Sequence, residues 1–269
     1  MQTKFLTLAL LLLVSFSTYS QDREESPYKT DWLVDGAVLA GTLGLNAAGF
    51  MMIQDKEPLT IEEVESLDED HVPAVDRWVA GYYDTGADDL SYYPFYGSFA
   101  VPFLMMLTDD MDSHFGQLSV LYIESMAVTG ALYTLSAGTI DRIRPLSYNE
   151  DVPMELRREA GATRSFFGGH TAATASATFF AAKVYNDFYP DSPARHDIWA
   201  AAAIIPAWVG YLRTIAGKHF LTDNILGYAV GAAAGILIPE LHKKEDQQLS
   251  VIPTLGAEYK GIGLFYEFN

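Results

Sequence analysis

The chain has 269 residues, 49% of them hydrophobic, and its 35 acidic and 17 basic residues give a formal net charge of −18. This apolar fraction excludes an intrinsically disordered chain, and the acidic balance argues against a nucleic-acid-binding protein, which usually carries a basic surface. The absence of cysteine excludes disulfides, thiolate metal sites and cysteine nucleophiles.

The N-terminus has the pattern of an export signal. Lys4 precedes an apolar run over residues 5–16, and the segment Ser-Thr-Tyr-Ser, mostly small residues, follows at 17–20. A basic start, a short apolar core and small residues at the end are typical of a cleaved signal peptide. We therefore expect residues 1–20 to be removed, with an uncleaved membrane anchor as the alternative.

Apolar stretches rich in Ala and Gly recur along the rest of the chain, and such small residues suit close helix packing. They cover residues 32–53, 93–107, 118–137, 171–184, 198–215 and 225–241. We interpret them as six helices of a membrane-embedded bundle, although only the first and third reach the ~20 residues that a membrane span needs. Pro94 and Pro102 argue against a regular second helix.

An acidic segment at residues 55–89 separates the first two of these stretches. Thr60 and Glu63 have the spacing of a capping box, and Leu59 and Val64 fit the hydrophobic staple that accompanies it. The pattern predicts a short helix that starts at this point.

The same segment suggests a second short helix over residues 71–80, with Val75, Trp78 and Val79 on one face. We expect the acidic side chains to form a solvated surface. A calcium site is the alternative, but its regular alternation of acidic ligands with a turn glycine is missing.

The C-terminal tail changes its period. Apolar residues alternate at Ile262, Leu264, Tyr266 and Phe268, which predicts a β-hairpin that packs on the helices or pairs with another chain. The predicted division is a signal peptide at 1–20, an N-terminal helix and acidic insert at 21–92, a core at 93–245 and a hairpin at 246–269.

Residues with potential chemistry concentrate in three segments, at 141–145, 165–172 and 213–223. The first follows the third helix, the second precedes the fourth, and the third connects the fifth and sixth. Two antiparallel crossings return a chain to the same end of a bundle. The three segments are therefore predicted to meet at one end.

This combination of side chains suits phosphoryl transfer. Arginine forks match phosphate oxygens, and the amides at a helix start, here beside Gly168 and Gly169, hold anions. A histidine can attack phosphorus, and Asp223 follows His219 by one helical turn. A second histidine, His170, can protonate the leaving oxygen. The pattern predicts a phosphohistidine intermediate.

The same residues resemble the type 2 phosphatidic-acid phosphatase and vanadium haloperoxidase superfamily. That family carries a lysine, six residues and Arg-Pro, then Pro-Ser-Gly-His, then Ser-Arg, five residues, His, three residues and Asp. The matching residues are Arg144-Pro145, Gly169-His170, and Arg213 with His219 and Asp223. The resemblance covers approximately residues 93–241.

The resemblance implies an all-α six-helix bundle and a role for each matching residue. His219 would be the nucleophile, Asp223 its orienting partner and His170 the general acid. Phosphate oxygens would be bound by Arg144 and Arg213. The amides of Gly169 and Gly168 would assist them, and no metal or cofactor would be required.

Three departures from the family pattern remove expected groups. The lysine position holds Ala137, the proline and serine of the second motif are Phe167 and Gly168, and the serine of the third is Leu212. Losing one charge-assisted contact would weaken phosphate binding by about 1.5–3 kcal/mol if nothing replaced it. The candidate replacements for the lysine are Arg142, which we rank first because it lies near the same helix end, Arg164 and Lys218.

The apolar helices favour a lipid phosphate or pyrophosphate as the substrate, in the envelope of a bacterial cell. We expect an inner-membrane enzyme whose active site faces the periplasm. A cleaved signal conflicts with this sidedness, because three spans before Arg144 would place the active end in the cytoplasm. One of those helices then does not cross, or residues 1–20 are not an export signal, or the bundle does not span a membrane.

Two other functions fit the sequence. One is a soluble periplasmic acid phosphatase with the same chemistry. The other is a non-catalytic envelope protein that retains the fold and binds an anionic lipid.

Overall fold

The computed structural model describes residues 25–108, 110–244, 249–255 and 260–266. The predicted signal peptide at residues 1–20 lies outside the described residues, as does Phe268 of the predicted hairpin.

Each of the six apolar stretches forms a helix, which confirms the predicted all-α core. The long helices are α1 (Trp32–Gln54), α2 (Thr85–Met105), α3 (Phe115–Thr139), α4 (Gly169–Phe188), α5 (Arg195–Ile215) and α6 (Leu221–Leu241). Short α-helices at Ile61–Glu65 and Met154–Arg157 and single 3₁₀ turns lie in the connections.

Helix α4 lies at the centre of the bundle and packs against α2, α3, α5 and α6, while α1 packs on α3. Most of the side chains that α4 buries are Ala, Ser and Thr, which allow neighbouring backbones to approach closely. At Gly231 of α6 a Cβ atom would lie only 2.0 Å from the carbonyl oxygen of Ala172. Glycine is therefore required where α6 crosses α4.

Helix α2 begins earlier than predicted and contains both prolines. Asp84 caps it by accepting a 2.8 Å hydrogen bond from the Ala87 amide, which places the first turn inside the acidic segment. The expectation that Pro94 and Pro102 weaken the second stretch as a regular helix is not met, because α2 runs without a break from Thr85 to Met105. The packing of α2 on α4 and α5 outweighs the backbone donors that the two prolines remove.

Four helical segments are long and apolar enough to cross a membrane: Trp32–Gln54, Asp112–Thr139, Arg195–Ile215 and Leu221–Leu241. Helices α5 and α6 reach the required length because they extend beyond their apolar runs. Helix α1 exposes large apolar side chains, including Trp32, Leu43 and Phe50, that would otherwise face water. Such surface indicates contact with lipid or with another protein.

The first part of the acidic insert follows the sequence prediction. Glu63 accepts from the Thr60 amide at 2.7 Å, and the Glu63 amide donates to the Thr60 hydroxyl at 3.1 Å. Leu59 and Val64 are buried together with Ala162. The capping box, the staple and the short helix are therefore confirmed.

The second part of the insert differs from the prediction. Residues 71–80 contain a 3₁₀ turn at Arg77–Val79 in place of an α-helix, and Val75 and Trp78 are exposed. The expected solvated surface is also wrong at Asp76, which is 1% exposed. This carboxylate binds the side chain of Arg142, so the insert folds over the core instead of lying beside it.

The tail has two antiparallel strands, β1 (Leu249–Leu255) and β2 (Lys260–Tyr266), with Val251 opposite Leu264. The connecting residues 256–259 lie outside the described part of the chain.

Both chain ends of the bundle meet at one place. The amide of Lys29, before α1, donates to the carbonyl oxygen of His242, after α6, at 2.7 Å. The other end of α1 lies beside the C-terminus of α3, because Lys56 contacts Asp141 at 2.7 Å. Arg144 follows α3 directly, so residues 25–31 and 242–244 lie at the end of the bundle opposite to it.

Candidate active site

The three predicted segments meet at one end of the bundle, as the helix count requires. The Gly168 amide donates to the carbonyl oxygen of Asp223 at 2.9 Å. The Leu146 amide donates to the carbonyl oxygen of Gly217 at 3.0 Å. These bonds join the start of α4 and the Arg-Pro turn to the α5–α6 connection.

His219 lies at the centre of this end and is 2% exposed. Its Nδ1 atom is 2.6 Å from the carbonyl oxygen of Ser165. A carbonyl can only accept, so Nδ1 carries the proton and Nε2 carries the free lone pair. Burial lowers the pKa of His219 well below its usual range, and the charges of Arg213 and Arg144 lower it further. The imidazole is therefore neutral and nucleophilic at neutral pH.

The role implied for Asp223 is not the one that the geometry shows. Its carboxylate accepts from the Ser165 hydroxyl at 2.6 Å and from the Phe220 amide at 3.0 Å, and it pairs with Arg142. The hydrogen bond of His219 goes to the backbone of Ser165 instead. Asp223 thus fixes the Ser165 segment, which in turn holds the imidazole.

In the described part of the chain, four buried nitrogen atoms without a hydrogen-bond partner lie at the same end of the bundle as His219. They are Nε of Arg144, Arg164 and Arg213, and Nε2 of His170. These groups influence one another electrostatically: Arg213 and Arg144 lower the pKa of both histidines, and Arg164 lowers that of Arg144. Three of these nitrogens are guanidinium donors, and buried donors without an acceptor are costly, so this group indicates a binding place for an anion.

Arg144 remains a cation in this setting. Burial lowers the pKa of its guanidinium to about 10, the neighbouring Arg213 and Arg164 adding to that effect while Tyr133 and Glu159 oppose it. The nearest carboxylate oxygen, of Glu159, is 3.8 Å away. The Arg144 charge is therefore only weakly compensated.

Asp88 of α2 contacts two cations at the edge of the site, Arg213 and Lys218. Its carboxylate pairs with Arg213 and lies 3.2 Å from Nζ of Lys218. Arg213 also donates to the Ser91 hydroxyl at 3.3 Å. One acidic residue thus orients a buried arginine and a partly exposed lysine.

Arg142, which we ranked first as the replacement for the missing lysine, does not have that role in the structure. Its guanidinium binds Asp76 at 2.6 Å, pairs with Asp223 and lies 4.7 Å above the ring of Phe220. Two carboxylates therefore compensate it fully. Arg164, whose Nε has no partner, is the cation beside Arg144.

His170, the second residue of α4, packs between Phe95 and Tyr92, with ring centroids at 4.2 and 5.2 Å. Burial lowers its pKa to about 3, with further contributions from Arg213 and Arg144. The imidazole is consequently neutral in the ligand-free protein, and a general acid would have to gain its proton when an anion binds.

The start of α4 supplies fewer amides than predicted. The Gly168 amide is already bonded to the Asp223 carbonyl oxygen, so it is not available to a phosphate. No side chain caps the helix, which leaves the Gly169 amide at its first turn. A Cβ atom at Gly168 would lie 2.4 Å from Oδ1 of Asn224, so Asn224 occupies the space of the family's serine side chain.

Sequence reasoning missed several residues that build this end. They are Asp76, Asp88, Tyr133 and Asn224, whereas Ser165 begins one of the three predicted segments but was given no role. Only Tyr133 had a usable signal, because it lies one helical turn before Ala137 on the same face of α3. It packs beside Gly169 and the Phe167 ring, near the position where the family has its lysine.

Comparison with known families identifies the core. The PAP2 superfamily model matches residues 118–247. These residues are a PAP2 superfamily domain. Membership implies phosphatase-type chemistry. No curated protein and no solved structure matches the chain.

The PAP2 domain contains both histidines of the site and its four arginines, Arg142, Arg144, Arg164 and Arg213. Asp76 and Asp88, which hold Arg142, Arg213 and Lys218, come from the chain before the domain. The acidic insert and α2 therefore complete the end of the domain where the motifs lie.

Proposed function

We propose that the protein is a metal-independent phosphatase that hydrolyses a lipid phosphate or pyrophosphate through a phosphohistidine at His219. The observation that carries this proposal is the group of unpaired nitrogens of Arg144, Arg164, Arg213 and His170 at the same end of the bundle as a neutral buried imidazole. Phosphate oxygens supply the acceptors that these nitrogens lack.

In the first step Nε2 of His219 forms a bond to phosphorus as the phosphorus–oxygen bond to the leaving group breaks. The Ser165 carbonyl oxygen keeps the proton on Nδ1, so the lone pair of Nε2 remains available and the phosphohistidine is stabilised. Arg144, Arg213 and Arg164 balance the charge on the phosphoryl oxygens. Arg164 then takes the place of the missing lysine.

His170 supplies the proton that the leaving oxygen requires. The neighbouring arginines keep it neutral in the free enzyme, and a bound phosphate dianion offsets their charges. The pKa of His170 then rises, so substrate binding itself leads to protonation of the general acid. In the second step water attacks phosphorus, neutral His170 takes the proton of that water, and the bond between phosphorus and Nε2 of His219 breaks to release phosphate.

A lipid substrate is supported by an apolar groove of about 290 Å³ between α5 and α6. Its apolar wall includes Trp78, Tyr211, Leu221, Ile225 and Tyr228. Its remaining wall includes Thr171, Thr214 and Asn224, which directly follow His170, Arg213 and Asp223 in sequence. An acyl or prenyl chain in this groove would leave its phosphate close to His219.

We further propose that the active end faces the periplasm from the inner membrane. Residues 25–31 and 242–244 lie at the opposite end, and Lys243 and Lys244 after α6 suit a cytoplasmic location. This orientation requires that residues 1–20 do not place residue 21 outside the inner membrane, either as a cleaved export signal or as an uncleaved anchor. Single cysteines at Glu150 and at Lys29, labelled from outside intact spheroplasts, test it: labelling of Glu150→Cys alone supports the proposal, and labelling of Lys29→Cys alone reverses it.

The function is tested by phosphate release from purified protein in detergent, with EDTA present, on lipid phosphates and one soluble ester. We expect release by the wild type and none above background by His219→Ala. A soluble-ester preference with extraction by carbonate would indicate the periplasmic acid phosphatase instead. No release by the folded wild type on any substrate would indicate the anionic-lipid-binding protein.

A further inference from the structure

A second cluster of ionisable residues lies at the end of the bundle opposite to His219. It consists of Asp35 in the first turn of α1, Glu124 within α3 and His242 directly after α6. From Glu124 to the last residue of α3 is about 22 Å along the helix axis. The phosphatase chemistry proposed above uses none of these three residues.

Two of the three spacings between the donor atoms match the edges of a metal coordination tetrahedron, and the third is below 4.8 Å. Nε2 of His242 lies 3.3 Å from Oδ1 of Asp35 and 3.6 Å from Oε2 of Glu124, and all three atoms lie within 4.8 Å of one another. Zinc bonds of about 2.0–2.2 Å in tetrahedral geometry separate neighbouring ligand atoms by about 3.3–3.6 Å. The side chains are thus already placed around a common centre.

Glu124 provides an independent indication of a missing ligand. It is 1% exposed, and neither of its carboxylate oxygens has a hydrogen-bond partner among the described residues. A buried carboxylate without hydrogen bonds is expensive, especially inside a helix that can cross a membrane. A cation bound between Glu124, Asp35 and His242 would remove that cost.

The surroundings orient two of the donors for a metal. Nδ1 of His242 lies 2.7 Å from the carbonyl oxygen of Ile238, which places the proton on Nδ1 and directs Nε2 to the carboxylates. The Asp31 amide donates to Oδ2 of Asp35 at 2.8 Å, which leaves Oδ1 toward His242. Metal-bound histidines and carboxylates commonly have such outer hydrogen bonds.

We propose that Asp35, Glu124 and His242 bind one divalent transition-metal cation, for which Zn²⁺ is the appropriate probe. An imidazole with two carboxylates suits zinc, whereas Mg²⁺ and Ca²⁺ prefer oxygen ligands alone. Two carboxylates and one neutral imidazole carry a charge that a dication balances. The ion would link α1, α3 and the end of α6 and would be a structural metal ion, far from the phosphatase site.

The direct test is the metal content of the full chain, purified in detergent without a polyhistidine tag. After equilibration with Zn²⁺ and removal of the free ion, elemental analysis is expected to give one zinc per chain. Removal of zinc by a chelator should lower Tm by several degrees, and readdition of Zn²⁺ should restore it. A wild type that retains no zinc and shows no shift of Tm overturns the proposal.

Substitutions locate the ion. Glu124→Gln keeps the side-chain shape and should reduce bound zinc at least tenfold and abolish the Tm response. The matched control is Glu240→Gln, at the same end of the bundle, where the carboxylate pairs with Lys183 at 2.6 Å; it should retain one zinc. His242→Gln repeats the test if Glu124→Gln does not fold.

The catalytic histidines must be excluded as the source of the zinc signal. His219→Ala should still bind one zinc per chain, whether or not the phosphatase proposal is correct. Zinc that persists in both Glu124→Gln and His242→Gln but disappears in His219→Ala would overturn the site and place the ion at the other end. Zinc that Glu240→Gln loses equally would also contradict the assignment.

Discussion

The Nδ1 atom of His219 lies 2.6 Å from the carbonyl oxygen of Ser165, while the hydroxyl of Ser165 donates to Asp223 at 2.6 Å. The carboxylate that sequence spacing pairs with the histidine therefore acts through an intervening residue. The tautomer of His219, the proposed nucleophile, is therefore set by a backbone carbonyl, which a substitution of the Ser165 side chain leaves in place.

This relationship predicts that Ser165→Ala lowers the stability of the protein while it changes kcat only little. The substitution removes a buried hydrogen bond to a carboxylate, so the free energy of unfolding should fall by about 1.5–3 kcal/mol. Because the carbonyl oxygen remains, kcat should fall less than tenfold. Chemical denaturation and steady-state kinetics measure the two effects, with Ser192→Ala at the other end of the bundle as the control. A kcat loss as large as that of His219→Ala would contradict the backbone assignment.

Substitution by glutamine should lower the stability of the protein at Arg142 but not at Arg164. Arg142→Gln leaves Asp76 and Asp223 uncompensated in the interior, so stability should fall by about 3–5 kcal/mol. Arg164→Gln removes a cation whose Nε has no partner, so Tm should change little.

The readout that separates the two arginines is inhibition by inorganic phosphate. Loss of one charge-assisted contact in Arg164→Gln should raise the inhibition constant about ten- to a hundredfold. If Arg142→Gln folds normally and shows that effect instead, Arg142 is the phosphate ligand and our assignment is wrong.

Anion binding should be accompanied by proton uptake. The pKa of His170 is about 3 in the free protein, so the ring is neutral at pH 7, and a bound phosphate dianion raises that pKa by offsetting Arg213 and Arg144. Affinity for phosphate or tungstate should therefore increase as the pH falls toward the raised pKa. Calorimetry in buffers of different ionisation enthalpy measures the uptake. His170→Gln should abolish it, and uptake unchanged in that variant would assign the proton elsewhere.

Restoring the family's serine at position 168 should not improve the enzyme. A side chain there would meet Oδ1 of Asn224 at 2.4 Å and its Cα at 3.2 Å, so Gly168→Ser should cost about 1–3 kcal/mol of stability. Phosphatase activity should fall as the start of α4 shifts. Gly97→Ser, where nothing lies within 4 Å of the added Cβ, is the control. A gain in activity with unchanged Tm would show that the pocket accommodates the hydroxyl.

The sequence was sufficient for the helices and for the meeting of the motifs, because apolar runs and antiparallel crossings determine both. It was insufficient where ion pairs between residues distant in sequence determine the position of a side chain. Asp76 and Asp88 are ordinary acidic residues in an acidic segment, and only the fold brings them to Arg142 and Arg213. Helix α2 was predicted too short because the apolar run that indicated it starts only at Tyr93, whereas the helix begins with polar residues from Thr85.

The assignment of Gly168 as an anion-binding amide failed for a related reason. The sequence shows a glycine at a helix start but not the Asp223 carbonyl oxygen that already accepts from its amide. Likewise, Arg142 is close to the vacant lysine position along the chain, yet two distant carboxylates bind it. Local spacing identifies which residues reach the site, and tertiary contacts decide which of them remain available to a substrate.

The central claim is tested most directly by trapping the intermediate. Wild type and His219→Ala are mixed with a ³²P-labelled lipid phosphate in EDTA, below the Tm of the chelated protein, and quenched in alkali, where phosphohistidine survives. The account predicts acid-labile label on His219 of the wild type, none in the variant, and phosphate release by the wild type alone. Label and phosphate release that persist in a folded His219→Ala protein would contradict it.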